Sequence, residues 1–250
     1  MEMTSDSETR PIGVIGMLGG MSWESTAEYY RLANRMVHQL LGGYHSARVL
    51  ISSVDFAEIE RLQAAGDWEG AATILTAEAL ALERAGADLM LLCTNTMHIV
   101  ADQISSRLRI PLLHIGDVTA EAVTAAGLTT VGLLGTAFTM EQDFYRARMS
   151  KRGITTIIPG DEDRRLVHRI IYEELVHGVI NPESRVAYQG VIDRLVASGS
   201  EGIILGCTEI ELLVAPENCR VPSFPTARLH VEAAVRHASR VPTATLAAGD

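Results

Sequence analysis

Gly86-Ala-Asp-Leu-Met-Leu-Leu-Cys-Thr-Asn-Thr96 and Gly199-Ser-Glu-Gly-Ile-Ile-Leu-Gly-Cys-Thr-Glu209 align without a gap. Each is a short apolar run opened by glycine, the pattern of a buried strand. Each ends in a triplet of small polar or nucleophilic side chains. In this register Thr94 falls on Cys207, Asn95 on Thr208 and Thr96 on Glu209. A second echo runs in the same order. Gly13-Val-Ile-Gly16 resembles Gly132-Leu-Leu-Gly135, and Trp23 to Arg31 resembles Met140 to Arg146. The offsets of 113 to 119 residues are about half the chain, too long for a solenoid period and right for a duplicated α/β domain.

The rest of the chain alternates strand and helix patterns around this repeat. Ile12–Ile15, Ala47–Val54, Leu89–Cys93 and Leu112–Ile115 read as strands of the first half. Thr130–Leu134, Thr155–Ile158, Ile203–Leu205 and Val221–Phe224 read as strands of the second. Gly16 to Ser22 reads as a turn, and Asp55 opens a polar loop. Trp23–Leu40 reads as a helix with Tyr30, Ala33, Val37 and Leu40 on its buried stripe; Trp68–Ala85, Met97–Leu108, Met140–Lys151, Arg164–Val176, Glu183–Ser198 and Thr226–Ala238 read as further helices. Alternating β and α predicts parallel sheets with helices on both faces. The expected fold is α/β: two similar doubly wound parallel-sheet domains related by a pseudo-twofold, with the active site between them. The first domain is expected at 11–115 plus 225–240 and the second at 116–224, with tails at 1–10 and 241–250. Ligands of such folds bind beyond the carboxyl ends of the strands, where both triplets lie.

Composition removes several classes of function. The net charge of −10 argues against nucleic acid or an anionic membrane as partner. No apolar run reaches the length of a membrane span, and residues 1–10 carry no apolar signal core. Three cysteines, Cys93, Cys207 and Cys219, do not suggest a disulfide framework, so a cytoplasmic location is expected. Lys151 is the only lysine. It sits at a polar helix end, which argues against pyridoxal phosphate, whose Schiff base needs a lysine. Gly16 to Ser22 satisfies neither the dinucleotide fingerprint nor the phosphate-binding loop. Cys93, His98 and His114 match no zinc spacing. No metal and no cofactor is expected. Cys93 should point away from the triplet's face, because one residue along a strand changes side. Cys207, between Gly206 and Thr208, is expected near a helix N-terminus that lowers its pKa.

Gly19-Gly-Met-Ser-Trp-Glu-Ser-Thr26, Leu92-Cys-Thr-Asn-Thr-Met-His98, Leu134 to Tyr145 and Gly206-Cys-Thr-Glu209 resemble the aspartate/glutamate racemase family, over about Ile12 to His237. The resemblance implies two α/β domains, an interdomain site and cofactor-independent racemisation of glutamate or aspartate. Family members typically carry a cysteine in each triplet. Here Thr94 holds the first position and Cys207 the second, as in the subgroup with a Cys-Thr-Asn-Thr-Met-His segment. The implied catalytic pair is Thr94 and Cys207, exchanging the α-proton on opposite faces. Asn95, Thr96 and Thr208 are expected to bind the substrate's carboxylate, with Met21, Gln63 and Thr136 as further contacts. Glu209 is counted among the substrate-binding residues. It or His98 is expected to assist the weakly basic Thr94 hydroxyl. Arg164 and Arg165 are available for a side-chain carboxylate. The expected partners are a small amino-acid substrate and a second copy in a homodimer. Two other functions remain open to the same residues: a single-thiol decarboxylase or isomerase of the same superfamily, and an amino-acid-binding protein without turnover.

Overall fold

The computed structural model describes residues 12–214 and 219–239; the tails expected at 1–10 and 241–250 lie outside the described residues. Among these, β1 (Ile15–Gly19), β2 (Val49–Ser53) and β3 (Leu89–Leu92) form one parallel sheet in the order β2-β1-β3. β4 (Thr130–Gly135), β5 (Thr155–Ile157), β6 (Gly202–Gly206) and β7 (Ser223–Pro225) form a second in the order β5-β4-β6-β7. All named pairings are parallel. Leu112 makes one parallel bridge to Met90, on the edge of β3 that corresponds to the place of β7. The two sheets therefore share one strand order, as a duplication requires.

Strand alternation feeds two cores around the first sheet. Leu18, Met90 and Leu92 face one side, where Ala71, Leu75, Ala79 and Leu82 of helix Trp68–Arg84 cover them. Ile15, Met17, Leu89, Leu91 and Cys93 face the other, against Tyr29, Ala33 and Val37 of helix Trp23–Leu41 and Val231 and Ala234 of helix Thr226–Ser239. The last helix thus packs on the first sheet. The second sheet sits in its own core, with Val131, Leu133, Ile203 and Leu205 among the buried residues.

Pairing corrects the register of the repeat. Gly16 lies beside Met90 and Gly132 beside Ile203, and Met90 and Ile203 are themselves aligned. The structural equivalents are therefore Gly16-Met-Leu-Gly19 and Gly132-Leu-Leu-Gly135, three residues on from the Gly13–Gly16 match. Gly16 to Gly19 is strand, and the turn is confined to Gly20–Ser22. The closing glycines have a common cause. A Cβ on Gly19 would collide with Thr26, and one on Gly135 would come within 3.0 Å of Thr139 and of the Gly206 carbonyl. Each strand end lies directly under a threonine of the helix that follows it.

Other elements depart from the sequence reading. The residues after Asp55 form helix Phe56–Ala65, capped by the Asp55 carboxylate, which accepts from Ala57 N–H at 3.1 Å, and closed by Gly66 at φ 69°. Tyr29, not Tyr30, is on the buried stripe; Tyr30 is half exposed. Leu112–Ile115 is reduced to one bridge because His114 already caps helix Ile115–Ala125. The helix expected over 140–151 is two, Ala137–Glu141 and Asp143–Ser150. The segment 97–108 begins as a 3-10 turn, Thr96–Val100, before Ala101–Ser105.

Two stability measurements follow from this packing. Gly19→Ala should cost about 1–3 kcal/mol in denaturant unfolding, because Thr26 cannot move without breaking its bonds to Gly20 N–H (2.8 Å) and the Ser22 carbonyl (3.0 Å); an unchanged midpoint would exclude the contact. Glu211, on the short helix Ile210–Leu213, is raised from its ordinary 4.5 to about 8 by burial and then by Glu28. Between those values the folded chain keeps a proton that the unfolded chain has released, so stability falls as pH rises. Glu211→Gln should raise the melting temperature above pH 8 and change it little near pH 4. Equal effects at both pH values would contradict the assignment.

Candidate active site

Beyond the carboxyl ends of β1, β3, β4 and β6 a single cleft gathers side chains from both halves. Met21, Gln63, Thr94, Asn95, Thr96, Thr136, Cys207, Thr208 and Glu209 all line it, so all nine site residues read from the sequence come together. Cys93 does not line it; its side chain is fully buried in the core with Leu89 and Leu91. Ser22, Ser25, Phe56, Ile171, Tyr172 and Val176 also line the cleft and were not singled out. Ser22 and Ser25 stand in the Gly-Gly-Met-Ser motif. Phe56 arrives on the helix that was read as a loop, and Ile171 and Tyr172 on helix Asp161–Glu173.

The two halves are joined by matching bonds. Thr96 Oγ1 lies 3.0 Å from Thr136 Oγ1, and Thr136 is the N-cap of the helix after β4. Ser22 donates its hydroxyl to Glu209 Oε1 at 2.5 Å, and Ser22 is the N-cap of the helix after β1. Thr96 and Glu209 are aligned in the repeat, so each triplet's third residue reaches the helix start of the opposite half. Ser25 adds a third link: its one hydroxyl proton goes to the Cys93 carbonyl (3.0 Å), so it accepts from the Thr208 hydroxyl at 2.7 Å.

Hydrogen-bond direction settles what Asn95 offers. Thr226 donates its only hydroxyl proton to the Leu205 carbonyl (2.8 Å) and must accept from Asn95 Nδ2 (3.0 Å). Asn95 Oδ1 is left as a buried acceptor without a partner, as is Gln63 Oε1. A buried unpaired acceptor costs free energy, which a ligand's N–H groups can recover.

Cys207 is half-buried, and its thiol donates to Glu209 Oε2 at 3.0 Å. Burial and then the Glu209 carboxylate push its pKa well up; the backbone N–H groups of Glu209 and Ile210 oppose them and are outweighed. The expected lowering by a helix N-terminus is thus reversed, because the sulfur is buried and the carboxylate two residues on folds back onto it. Nor does Thr94 receive the help expected for it. Glu209 is engaged by Cys207 and Ser22, and His98 Nδ1 bonds the Thr94 carbonyl (2.8 Å), not its hydroxyl.

Arg164 is held by Glu141, Asp161 and the Pro159 carbonyl, and neither it nor Arg165 lines the cleft. Among the lining residues Glu209 is the one carboxylate, and there is no Lys, Arg or His. Among the described residues no group of three or more His, Cys, Asp or Glu side chains is arranged to hold a metal ion. No described helix is long and apolar enough to cross a membrane.

Three solved structures resemble this one. A candidate Asp/Glu racemase from Yersinia pestis is 52% identical, covering 91% of this chain and 99% of that one, with a TM-score of 0.85. An aspartate racemase homologue of Pyrococcus horikoshii OT3 is 34% identical over 91% of this chain and 100% of that one, with a TM-score of 0.80. An aspartate racemase of Picrophilus torridus shares the fold at 20% identity, covering 90% and 94% of the two chains, with a TM-score of 0.76. Residues 18–234 match the Asp/Glu/Hydantoin racemase family, and with the paired strand ends, the shared sheet order and the interdomain cleft in view, the chain belongs to that family.

Proposed function

We propose that this protein racemises a free acidic amino acid, glutamate or aspartate, without a cofactor, with Cys207 and Thr94 exchanging the α-proton on opposite faces of the α-carbon. The observation that carries the reading is the pair of equivalent strand ends, which bring one thiol and one hydroxyl to the same cleft. That similar proteins are called aspartate racemases or their homologues supports the substrate class.

Inverting the α-carbon of an amino acid requires a base that removes the proton on one face and an acid that returns one on the other. Glu209, which already accepts the thiol's hydrogen bond, would take the Cys207 proton and leave a thiolate to attack the α-hydrogen. The buried acceptors Asn95 Oδ1 and Gln63 Oε1 suit the substrate's α-ammonium. This moves Asn95 from the carboxylate, where the sequence reading put it, to the amino group. Thr96 and Thr136 supply hydroxyls for carboxylate oxygens, and the Thr208 hydroxyl would add a third by turning its proton from Ser25; these donors would stabilise the charge that builds on the α-carboxylate. The Thr94 hydroxyl would return the proton from the other side. With thiol and carboxylate on one face and a lone hydroxyl on the other, the two directions should run at unequal rates.

The absence of any base bonded to the Thr94 hydroxyl among the described residues favours one second reading, a single-thiol decarboxylase or isomerase. Circular dichroism of L-glutamate and L-aspartate, with no pyridoxal phosphate or metal added, tests the proposal: the signal should decay to zero. A persistent signal together with no α-proton exchange in heavy water would reject racemisation.

Cys207→Ser should lower the rate by about 10²–10⁴-fold, while Cys93→Ala and Cys219→Ser keep most of it. An inactive but folded Cys93→Ala would contradict the assignment of the thiol. Thr94→Ala should abolish inversion while one enantiomer still trades its α-hydrogen for deuterium through Cys207. Inversion at near-normal rates in that variant would remove Thr94 from the chemistry.

A further inference from the structure

The two strand ends hold their acid/base residues by different means. After β6 the chain enters a turn in which Ile210 N–H donates to the Cys207 carbonyl at 3.1 Å. The equivalent backbone donor in the first half is Met97 N–H. The 3-10 turn that opens there instead begins with His98 N–H on the Asn95 carbonyl at 3.1 Å, and no backbone N–H reaches the Thr94 carbonyl among the described residues. The donor it receives is a side chain, His98 Nδ1, at 2.8 Å. A carbonyl only accepts, so Nδ1 carries the proton and Nε2 is bare. Nε2 is buried with no partner, and His98 as a whole is 2% exposed.

The surroundings keep that ring in place. His114 packs edge-on with ring centres 4.7 Å apart, and His230 with centres 5.5 Å apart. His230 is fixed in turn, donating from Nε2 to the Leu113 carbonyl (2.8 Å) and accepting from the Tyr29 hydroxyl at Nδ1 (3.0 Å). His114 Nδ1 accepts from Gly116 N–H at 3.1 Å. The three imidazoles come from the turn after β3, the connection between the halves and the last helix. Burial holds each of them neutral.

We propose that His98 is a positioning residue for Thr94: its Nδ1–H replaces the missing backbone donor on the Thr94 carbonyl and thereby fixes where the Thr94 hydroxyl stands in the cleft. His98 does not line the cleft. Its effect is confined to the Thr94 face, since the Cys207 carbonyl has its own backbone donor. This inference rests on the racemase reading for its kinetic consequence, but the hydrogen bond stands apart from it.

The test uses the full chain with wild type, His98→Phe and His98→Asn. Phenylalanine fills the site without a donor; asparagine places an N–H near the position of Nδ1. Inversion is followed by circular dichroism and α-hydrogen exchange in heavy water by NMR, from each enantiomer of glutamate and aspartate. His98→Phe should lower inversion about ten- to a hundredfold, as a small misplacement does, while exchange at the face served by Cys207 stays within about twofold. His98→Asn should recover part of the inversion. A fall in both exchange and inversion by the same factor in a variant of unchanged melting temperature, or no fall in either, would overturn the proposal. Nitrogen-15 shifts of the His98 ring in the wild type supply the arm that needs no turnover. The Nδ1–H tautomer is expected, and an Nε2–H tautomer would overturn the proposal even in an active enzyme. A wild type that exchanges no α-hydrogen yet shows the Nδ1–H tautomer would reject the racemase reading and leave the His98 contact standing.

Discussion

The cleft depends on buried hydrogen bonds that cross between the halves, and two of them, Thr96 to Thr136 and Glu209 to Ser22, form a matched pair. In both, the last residue of a strand-end triplet meets the N-cap of the helix that follows the central strand of the other half. Helix starts carry unsatisfied N–H groups and need a capping side chain. Here the caps are used twice, once for their own helix and once to reach the neighbouring domain. The bonds are buried, so they are stronger and less forgiving than the same contacts at the surface. They bring the carboxyl ends of two separate sheets to one place, which neither sheet could do by itself.

The same duplication explains why the site is not symmetric in its chemistry. At the first and third positions of the triplet the second half carries the group with more acid/base reach: Cys207 corresponds to Thr94 and Glu209 to Thr96. Glu211 corresponds to His98. The half with the thiol also has a carboxylate that accepts its hydrogen bond, and burial pushes the thiol's pKa up. The half with the threonine has no such partner and instead spends its histidine on geometry. A fold built from two copies can thus assign proton removal and proton return to differently equipped sides.

Much of this was legible in the sequence. The match of β3 with β6 was readable because an apolar run ending in a polar triplet admits one ungapped alignment, and that alignment put Thr94 in register with Cys207. The match of β1 with β4 slipped by three residues, since Gly13, Gly16 and Gly19 are spaced alike and glycine leaves no side chain to mark a face. Helix Phe56–Ala65 was missed because it buries only Ile59 and Gln63, too few to show a period, although Asp55 and Glu58 carry a capping signal. The environment of Cys207 could not be read from its neighbours. A glycine, a turn and a nearby helix start suggested a lowered pKa; burial of the sulfur first, and the folded path of the Glu209 side chain second, reverse it. His98 stands four residues from Thr94, but that spacing alone does not say whether the ring reaches the hydroxyl or the carbonyl; the 3-10 turn decides it.

The most direct measurement is a crystal structure of the protein with glutamate or aspartate bound. The account predicts the α-carbon between Cys207 Sγ and Thr94 Oγ1, its two faces addressed by those two atoms, with the α-ammonium on Asn95 Oδ1 and Gln63 Oε1. A substrate whose α-carbon meets the sulfur on one face and anything other than Thr94 on the other, or that lies outside the cleft, would contradict it.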